Sequence, residues 1–197
     1  MIKSVLPLSL IIALRFFGLF LVLPVISVYA INLEGATTTL VGIVIGGYAL
    51  TQMLFQIPFG VISDKFSRKG TIIFGLLIFA IGSIICALST DIYTLIFGRL
   101  LQGAGSIGAV VTAMISDLVK EQQRPKAMAV MGSSIAFAFA ISMIAGPTIG
   151  AAFGVESLFY ITLFLALASI VVLVKFVPNP PKITHTYKEK ANLGEIL

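Results

Sequence analysis
The chain has 197 residues, 58% of them hydrophobic and only 11% charged, with a mean hydropathy of +1.10. Soluble domains carry about 25% charged residues, so this composition excludes both a water-soluble globule and a disordered chain. The net charge of +5 does not point to nucleic acid, because the basic residues sit in short loops between apolar runs rather than on one solvated surface.

Six apolar segments follow one another, at 5–31, 39–62, 71–88, 92–115, 127–153 and 158–174. Each is long enough for a spanning helix, which needs about 20 mostly apolar residues. None alternates as a barrel strand does, and an open sheet would leave its edge groups unsatisfied in lipid. The predicted fold class is therefore an all-α membrane protein, a six-transmembrane-helix bundle over 1–177. Residues 178–197 form a basic cytoplasmic linker or tail, where the one histidine, His185, is expected to be solvated.

The first segment begins after Lys3 and contains Val28-Tyr29-Ala30, a sequence with the flavour of a signal cleavage site. It is too long for a signal core and is interrupted by Arg15 and Pro24, so it is read as a span. Arg15 lies about ten residues in, or ~15 Å at the helical rise, close to the bilayer centre. The second segment carries Gln52 and Gln56 as an i, i+4 pair, with Gly42, Gly46 and Gly47 offering close packing. The third is apolar nearly all round and holds the lone cysteine, Cys86, which by itself builds neither a disulfide nor a thiolate metal site. In the fourth, Gln102 and Ser106 follow Arg99 at i+3 and i+7, which would place all three on one helix face. The fifth contains Gly146-Pro147-Thr148-Ile149-Gly150 and then Gly154, a pattern expected to pack closely and to bend. The sixth is again apolar all round.

Charges assign the orientation. Lys3, the Lys65, Arg68 and Lys69 group, the Lys120, Arg124 and Lys126 group, and Lys175 with the tail lysines fall on one side of a six-span topology. The opposite connections hold Glu34, Asp91 and Glu156 and no basic residue. The positive-inside rule then places both termini in the cytoplasm. Polar groups inside a membrane are costly and face a bundle interior. Arg15, Arg99, Gln102 and Ser106 therefore read as cavity-lining, while Gln52 and Gln56 suit either a cavity or interhelical hydrogen bonding. Helices one and four look cavity-lining, two and five close-packing or gating, three and six peripheral. No cofactor or metal is expected, and no GxxxxGK[ST] is present, so an ion gradient is the expected energy source.

The loops and glycine motifs carry a resemblance. Gly60-Val61-Ile62-Ser63-Asp64-Lys65-Phe66-Ser67-Arg68-Lys69 resembles motif A of the major facilitator superfamily, and Arg99-Leu100-Leu101-Gln102-Gly103-Ala104-Gly105 resembles its motif B. Gly146 to Gly150 resembles motif C, and Gly18 with Leu23-Pro24-Val25 resembles motif D. With Ile115-Ser116-Asp117-Leu118 ending the fourth helix, the set is similar to the drug:proton antiporter branch, YajR-type efflux transporters in particular. The resemblance implies one six-helix half of a twelve-helix, alternating-access fold in a bacterial-type cytoplasmic (inner) membrane. Its implied partners are the lipid bilayer, a small-molecule substrate, protons and a second six-helix half in the same or another chain.

The resemblance also implies roles. Gly60, Asp64, Arg68, Lys69 and Asp117 correspond to a conformational latch. Arg99 corresponds to a residue linked to proton coupling; Arg15, Gln52, Gln102 and Ser106 join it as cavity candidates on their positions in the helices. Pro24, Gly146, Pro147, Gly150 and Gly154 correspond to helix bending and packing. Two positions depart from the pattern: Ser67 replaces a motif A glycine, which would relax the turn there, and Ala151 replaces the last glycine of motif C. No Asp or Glu lies deep in any span, so a proton carrier must be Glu34 or a group in the second half. Alternatives are a nutrient or organic-anion uptake transporter, with Arg15 and Arg99 binding the anion, and a truncated, non-transporting six-helix protein. An intramembrane enzyme is disfavoured, since there is no HExxH and no pair of intramembrane aspartates.

Overall fold
The computed structural model describes residues 2–178, with side chains from residue 5 onward. The expected tail at 179–197, including His185, and the Lys3 side chain lie outside the described residues. Eight α-helices make six crossings: α1 (Ile2–Val22) with α2 (Ile26–Ala30), α3 (Thr38–Lys65), α4 (Arg68–Ala87), α5 (Ile92–Ala104) with α6 (Gly108–Leu118), α7 (Arg124–Phe153) and α8 (Val155–Phe176). All six crossings are long and apolar enough to span a membrane.

Local chemistry sets the ends. Thr37, Ser67 and Asp91 are N-caps of α3, α4 and α5, each side chain accepting from a first-turn backbone N–H. Ser67 thus does more than fill the glycine position of the turn: its Oγ accepts from Gly70 N at 3.2 Å. Pro125 opens α7, where its missing N–H costs nothing. Gly154, at φ +82°, forms the turn from α7 into α8, a conformation that disfavours side chains.

Two predicted spans are not single helices. The segment at 5–31 breaks at 23–25, because Pro24 lacks an N–H and disfavours helical geometry in the residue before it. The segment at 92–115 breaks at 105–107, halfway across, with no proline present. There the chain passes against its neighbours through glycines. A Cβ on Gly105 would lie 2.9 Å from Phe79 N and closer still to the Gly75 carbonyl oxygen.

Without a hydrophobic drive between helices in lipid, such close crossings hold the bundle. Gly82 and Gly98 bring α4 against α5, where a Cβ on Gly82 would stand 2.8 Å from Gly98 O. Gly146 brings α7 against α1, its Cβ position lying 3.0 Å from the Leu21 carbonyl carbon. By contrast Gly42, Gly46 and Gly60 have nothing within 4 Å, so among the described residues they pack against no side chain or backbone. The expectation that α4 would be peripheral needs correction. It has one wholly buried face, from Ile72 through Leu76, Phe79 and Ser83 to Cys86, because its small residues Gly75 and Gly82 admit α5 and the α5–α6 break. Its other face, with Phe74, Leu77, Ile81 and Ile84, is exposed and apolar. One apolar cluster, including Leu8, Ile11, Leu76, Val111 and Met114, fills the end of the bundle that carries Arg68. A second, including Ile26, Val44, Ile92, Leu95 and Phe159, fills the other end.

Candidate functional site
Polar side chains form a connected row between those two clusters. Arg15, on α1, is 1% exposed and donates through both Nη atoms to Gln52 Oε1, at 3.3 Å each, and through Nη2 to the Gly105 carbonyl at 3.2 Å. That carbonyl lies in the α5–α6 break, where no helical N–H competes for it. Tyr48, one turn before Gln52 on α3, donates its hydroxyl to the same Gln52 oxygen at 2.7 Å. The Tyr48 ring lies under the Arg99 guanidinium, 4.8 Å from its centroid. Arg99, also 1% exposed, donates to Gln102 Oε1 at 2.8 Å and to Val44 O at 3.4 Å. Gln102 Nε2 then donates to Ser83 Oγ at 2.8 Å.

This row contains two guanidiniums and no carboxylate. Arginine does not lose its charge in a protein, and two buried cations cost several kcal/mol unless something compensates them. Carbonyl oxygens and aromatic faces supply part of the compensation: Arg15 also stacks over Phe79 at 5.1 Å and Phe16 at 5.6 Å. Among the described residues the ion pairs all belong to Arg68, none to Arg15 or Arg99.

Ser106 departs from the expected face. The helix ends at Ala104, so the i+7 register from Arg99 is lost and Ser106 sits in the break, buried, its hydroxyl without a partner. Tyr48 and Ser83 are the members that sequence reasoning missed. The i, i+4 spacing of Tyr48 and Gln52 could have revealed the first, whereas Ser83 joins only through the α4–α5 crossing.

Next to Arg15 lies a cavity of about 190 Å³ between α1, α3, α6 and α7. Its polar lining is Arg15, Gln52, Gln56 and Thr112, with Gly108 at the start of α6; Ile12, Phe16, Met131 and Ile135 complete it.

At the end that carries the basic loops, Arg68 is a hub. Its Nε donates to Asp117 Oδ2 at 2.9 Å, its Nη1 donates to Ser63 Oγ at 2.7 Å, and it is paired with Asp64 across one turn. Ser63 in turn donates to the Gly60 carbonyl at 2.7 Å. The cluster therefore ties the α3–α4 turn to the end of α6. Ser63 was not singled out from sequence, although it lies within the same loop motif. Lys69 is half-buried beside this group, and no ion pair joins it to the group.

The fifth crossing is one continuous helix, running through Gly146, Pro147 and Gly150 to Phe153. Gly150 makes ordinary contacts with Val155 and Leu158, and Gly154 belongs to the turn rather than to a packing face.

Residues 8–195 match the Major Facilitator Superfamily, nearly the whole chain. The chain belongs to this superfamily. As a major facilitator protein it is an integral membrane protein. It is 46% identical over 186 residues to the inner membrane transport protein YajR of Escherichia coli strain K12, covering 94% of this chain and 40% of that protein. It is 30% identical over 194 residues to the quinolone resistance protein NorA of Staphylococcus aureus, covering 95% of this chain and 48% of that one. The crystal structure of the POT family transporter PepTSo superposes with a TM-score of 0.79 at 17% identity, covering 100% of this chain and 45% of that one. The chain thus spans less than half the length of each of these proteins.

Proposed function
We propose that the chain is the N-terminal half of a secondary active transporter of the cytoplasmic (inner) membrane, exporting small amphipathic compounds such as drugs by alternating access on the proton gradient. The observation that carries this reading is the match of nearly the whole chain to part of a quinolone resistance protein and to YajR. In this reading both termini are cytoplasmic, and 178–197 leads to the second half. Arg68, with Asp64 and Asp117, latches the α3–α4 turn to the end of α6 in one state of the cycle. Gly60 and Lys69 flank the surface that the second half covers. Arg15, Gln52, Arg99, Gln102 and Ser106 face the substrate and proton pathway. Pro24, Gly146, Pro147, Gly150 and Gly154 let the first and fifth crossings pack and tilt. Every carboxylate among the described residues lies at a helix end or in a connection, so the proton carrier is Glu34 or a group of the second half.

The test is accumulation of a lipophilic cationic dye in efflux-deficient bacteria expressing the chain with its second half. Lower steady-state dye, restored by a protonophore, is expected. Unchanged accumulation with the protein present in the membrane would refute the reading. A second reading, organic-anion uptake, is favoured by one observation, the two buried arginines with no carboxylate to pair them. The direction of net flux under an imposed proton gradient separates the two.

A further inference from the structure
Small residues leave a hollow where α1 and α7 lie side by side. Ala13 and Ala138 form its floor, with Leu10 and Phe17 of α1 on one wall and Phe137 and Ile141 of α7 on the other, around about 440 Å³. Among the described residues no charged side chain lines it, and its one hydroxyl is already satisfied: Ser134 Oγ donates to the Val130 carbonyl at 2.8 Å. The space offers only apolar surface and dispersion contacts, which suits a hydrocarbon. Ser134 and Phe137 also border a more open hollow that continues along α7 past Ser133 to Lys126. Together the two make one groove, apolar for most of its length and cationic at its end.

This groove lies on the outer flank of the helix pair. Ile12, Arg15 and Phe16 of α1, with Met131 and Ile135 of α7, border the polar cavity of about 190 Å³. At about 100° per residue, the groove residues project from the opposite face of each helix. A second half that closes over the polar cavity sits on the cavity side, which leaves the groove to the bilayer. Its length fits one leaflet: α7 rises about 22 Å from Lys126 to Ile141, and half a bilayer with its headgroup region measures about 20–22 Å. The charges fit as well. α7 contains no acidic residue, and its other cation, Arg124, donates to the Ser116 carbonyl of α6. Lys126 is exposed and, among the described residues, takes part in no ion pair. The nearest carboxylate in sequence, Glu121, precedes the helix and is exposed.

We propose that this groove binds an anionic phospholipid of the cytoplasmic leaflet, with Lys126 against the headgroup phosphate and one acyl chain laid between α1 and α7. The inference rests on the orientation in which α7 starts in the cytoplasm, and it is independent of the direction of transport. The chain of the lipid covers Leu6, Leu10 and Phe137, large apolar side chains that are 45–70% exposed beside the groove. It thereby ties together, from outside, the two crossings that carry Arg15 and Gly146. A zwitterionic lipid with the same chains fills the groove equally well but lacks the net charge that Lys126 attracts.

The test is equilibrium binding of radiolabelled dioleoylphosphatidylglycerol to the purified, delipidated chain with its second half, in detergent. Dioleoylphosphatidylcholine serves as the competitor with the same chains and no net charge. Saturable binding that phosphatidylcholine displaces only weakly is expected. Lys126→Gln should weaken phosphatidylglycerol binding about fivefold, the contribution of one lysine near an anionic surface, and should abolish the preference between the two lipids. Lys65→Gln, which removes the same charge at the end of α3, should leave binding unchanged. Ala13→Phe, which fills the floor of the groove and keeps Lys126, should weaken both lipids alike; Lys126→Gln, at an exposed position, decides the matter if that variant fails to fold. Equal displacement by the two lipids, or an equal loss in Lys65→Gln, would mean ordinary lipid contact and overturn the site. Unaltered binding in Lys126→Gln or Ala13→Phe would leave the groove to the second half, and displacement by the lipophilic cationic dye would make it part of the transport path; either result overturns the proposal. Dye flux on the same preparation separates the two claims: flux without selective lipid binding removes the lipid site alone, and selective binding without flux removes the efflux reading alone.

Discussion

The closest helix crossing offers a sharp test of how the bundle is held together. A methyl group added at Gly146 meets backbone: it lies 3.0 Å from the Leu21 carbonyl carbon, 3.3 Å from its Cα and nearer still to its oxygen. No rotamer change relieves that, so α1 and α7 must separate by about 1 Å, and overpacking of this kind costs about 1–3 kcal/mol. The better helix propensity of alanine returns at most about 1 kcal/mol. The net loss, up to about 2 kcal/mol, corresponds to a drop of up to about 8 °C in Tm for a chain of this size. The chain carries its own reporter, since its single cysteine, Cys86, is fully buried and reacts with a thiol-sensitive fluorophore only on unfolding. Gly42→Ala is the control, because nothing lies within 4 Å of that position. It should match or slightly exceed the wild-type Tm. Equal melting of Gly146→Ala and wild type, or an equal drop in Gly42→Ala, would show that glycine crossings do not set the stability of this half.

Four further outcomes follow from the polar groups. Arg68→Ala strands Asp117, whose side chain is 14% exposed, and should cost about 2 kcal/mol, the scale of a hydrogen bond to a charged group. Arg68→Lys should recover little in the same thermal assay, because one ammonium cannot reproduce a fork serving Ser63, Asp64 and Asp117 together. Asp91 is held below its ordinary value of 3.8 by the Thr94 hydroxyl and then by the Thr94 and Tyr93 backbone N–H groups. A carboxylate depressed in the folded state stabilises above its unfolded pKa and loses that contribution as pH falls through the folded value. Asp91→Ala should therefore lower Tm at pH 7 and flatten its decline below about pH 4, a loss that pH-dependent melting would register. Asp64→Lys should insert normally and impair transport, as measured by membrane fractionation beside dye efflux, because it puts a like charge next to Arg68.

The six crossings were legible in the sequence because hydropathy and length carry that signal directly. The two breaks were less so. Pro24 announced one of them, but the break at 105–107 contains no proline and depends on how tightly Gly103 and Gly105 lie against α3 and α4. Periodicity along one helix found Arg99 with Gln102, yet it extended the same face to Ser106, beyond the point where the helix stops. The Arg68 hub was expected from the resemblance of its loop to motif A, while Ser63, uncharged and buried under Arg68, was not singled out. The glycines show the limit most clearly. Gly46 and Gly146 look alike in sequence, and only the structure distinguishes an open surface from a backbone crossing.

Proteoliposomes holding the chain with its second half, loaded with a lipophilic dye and given an imposed pH gradient, test the central claim most directly. The account predicts dye movement that follows the gradient, reverses with it, stops with a protonophore and is lost in Asp64→Lys. Movement indifferent to the gradient, or none from correctly inserted protein, would contradict it.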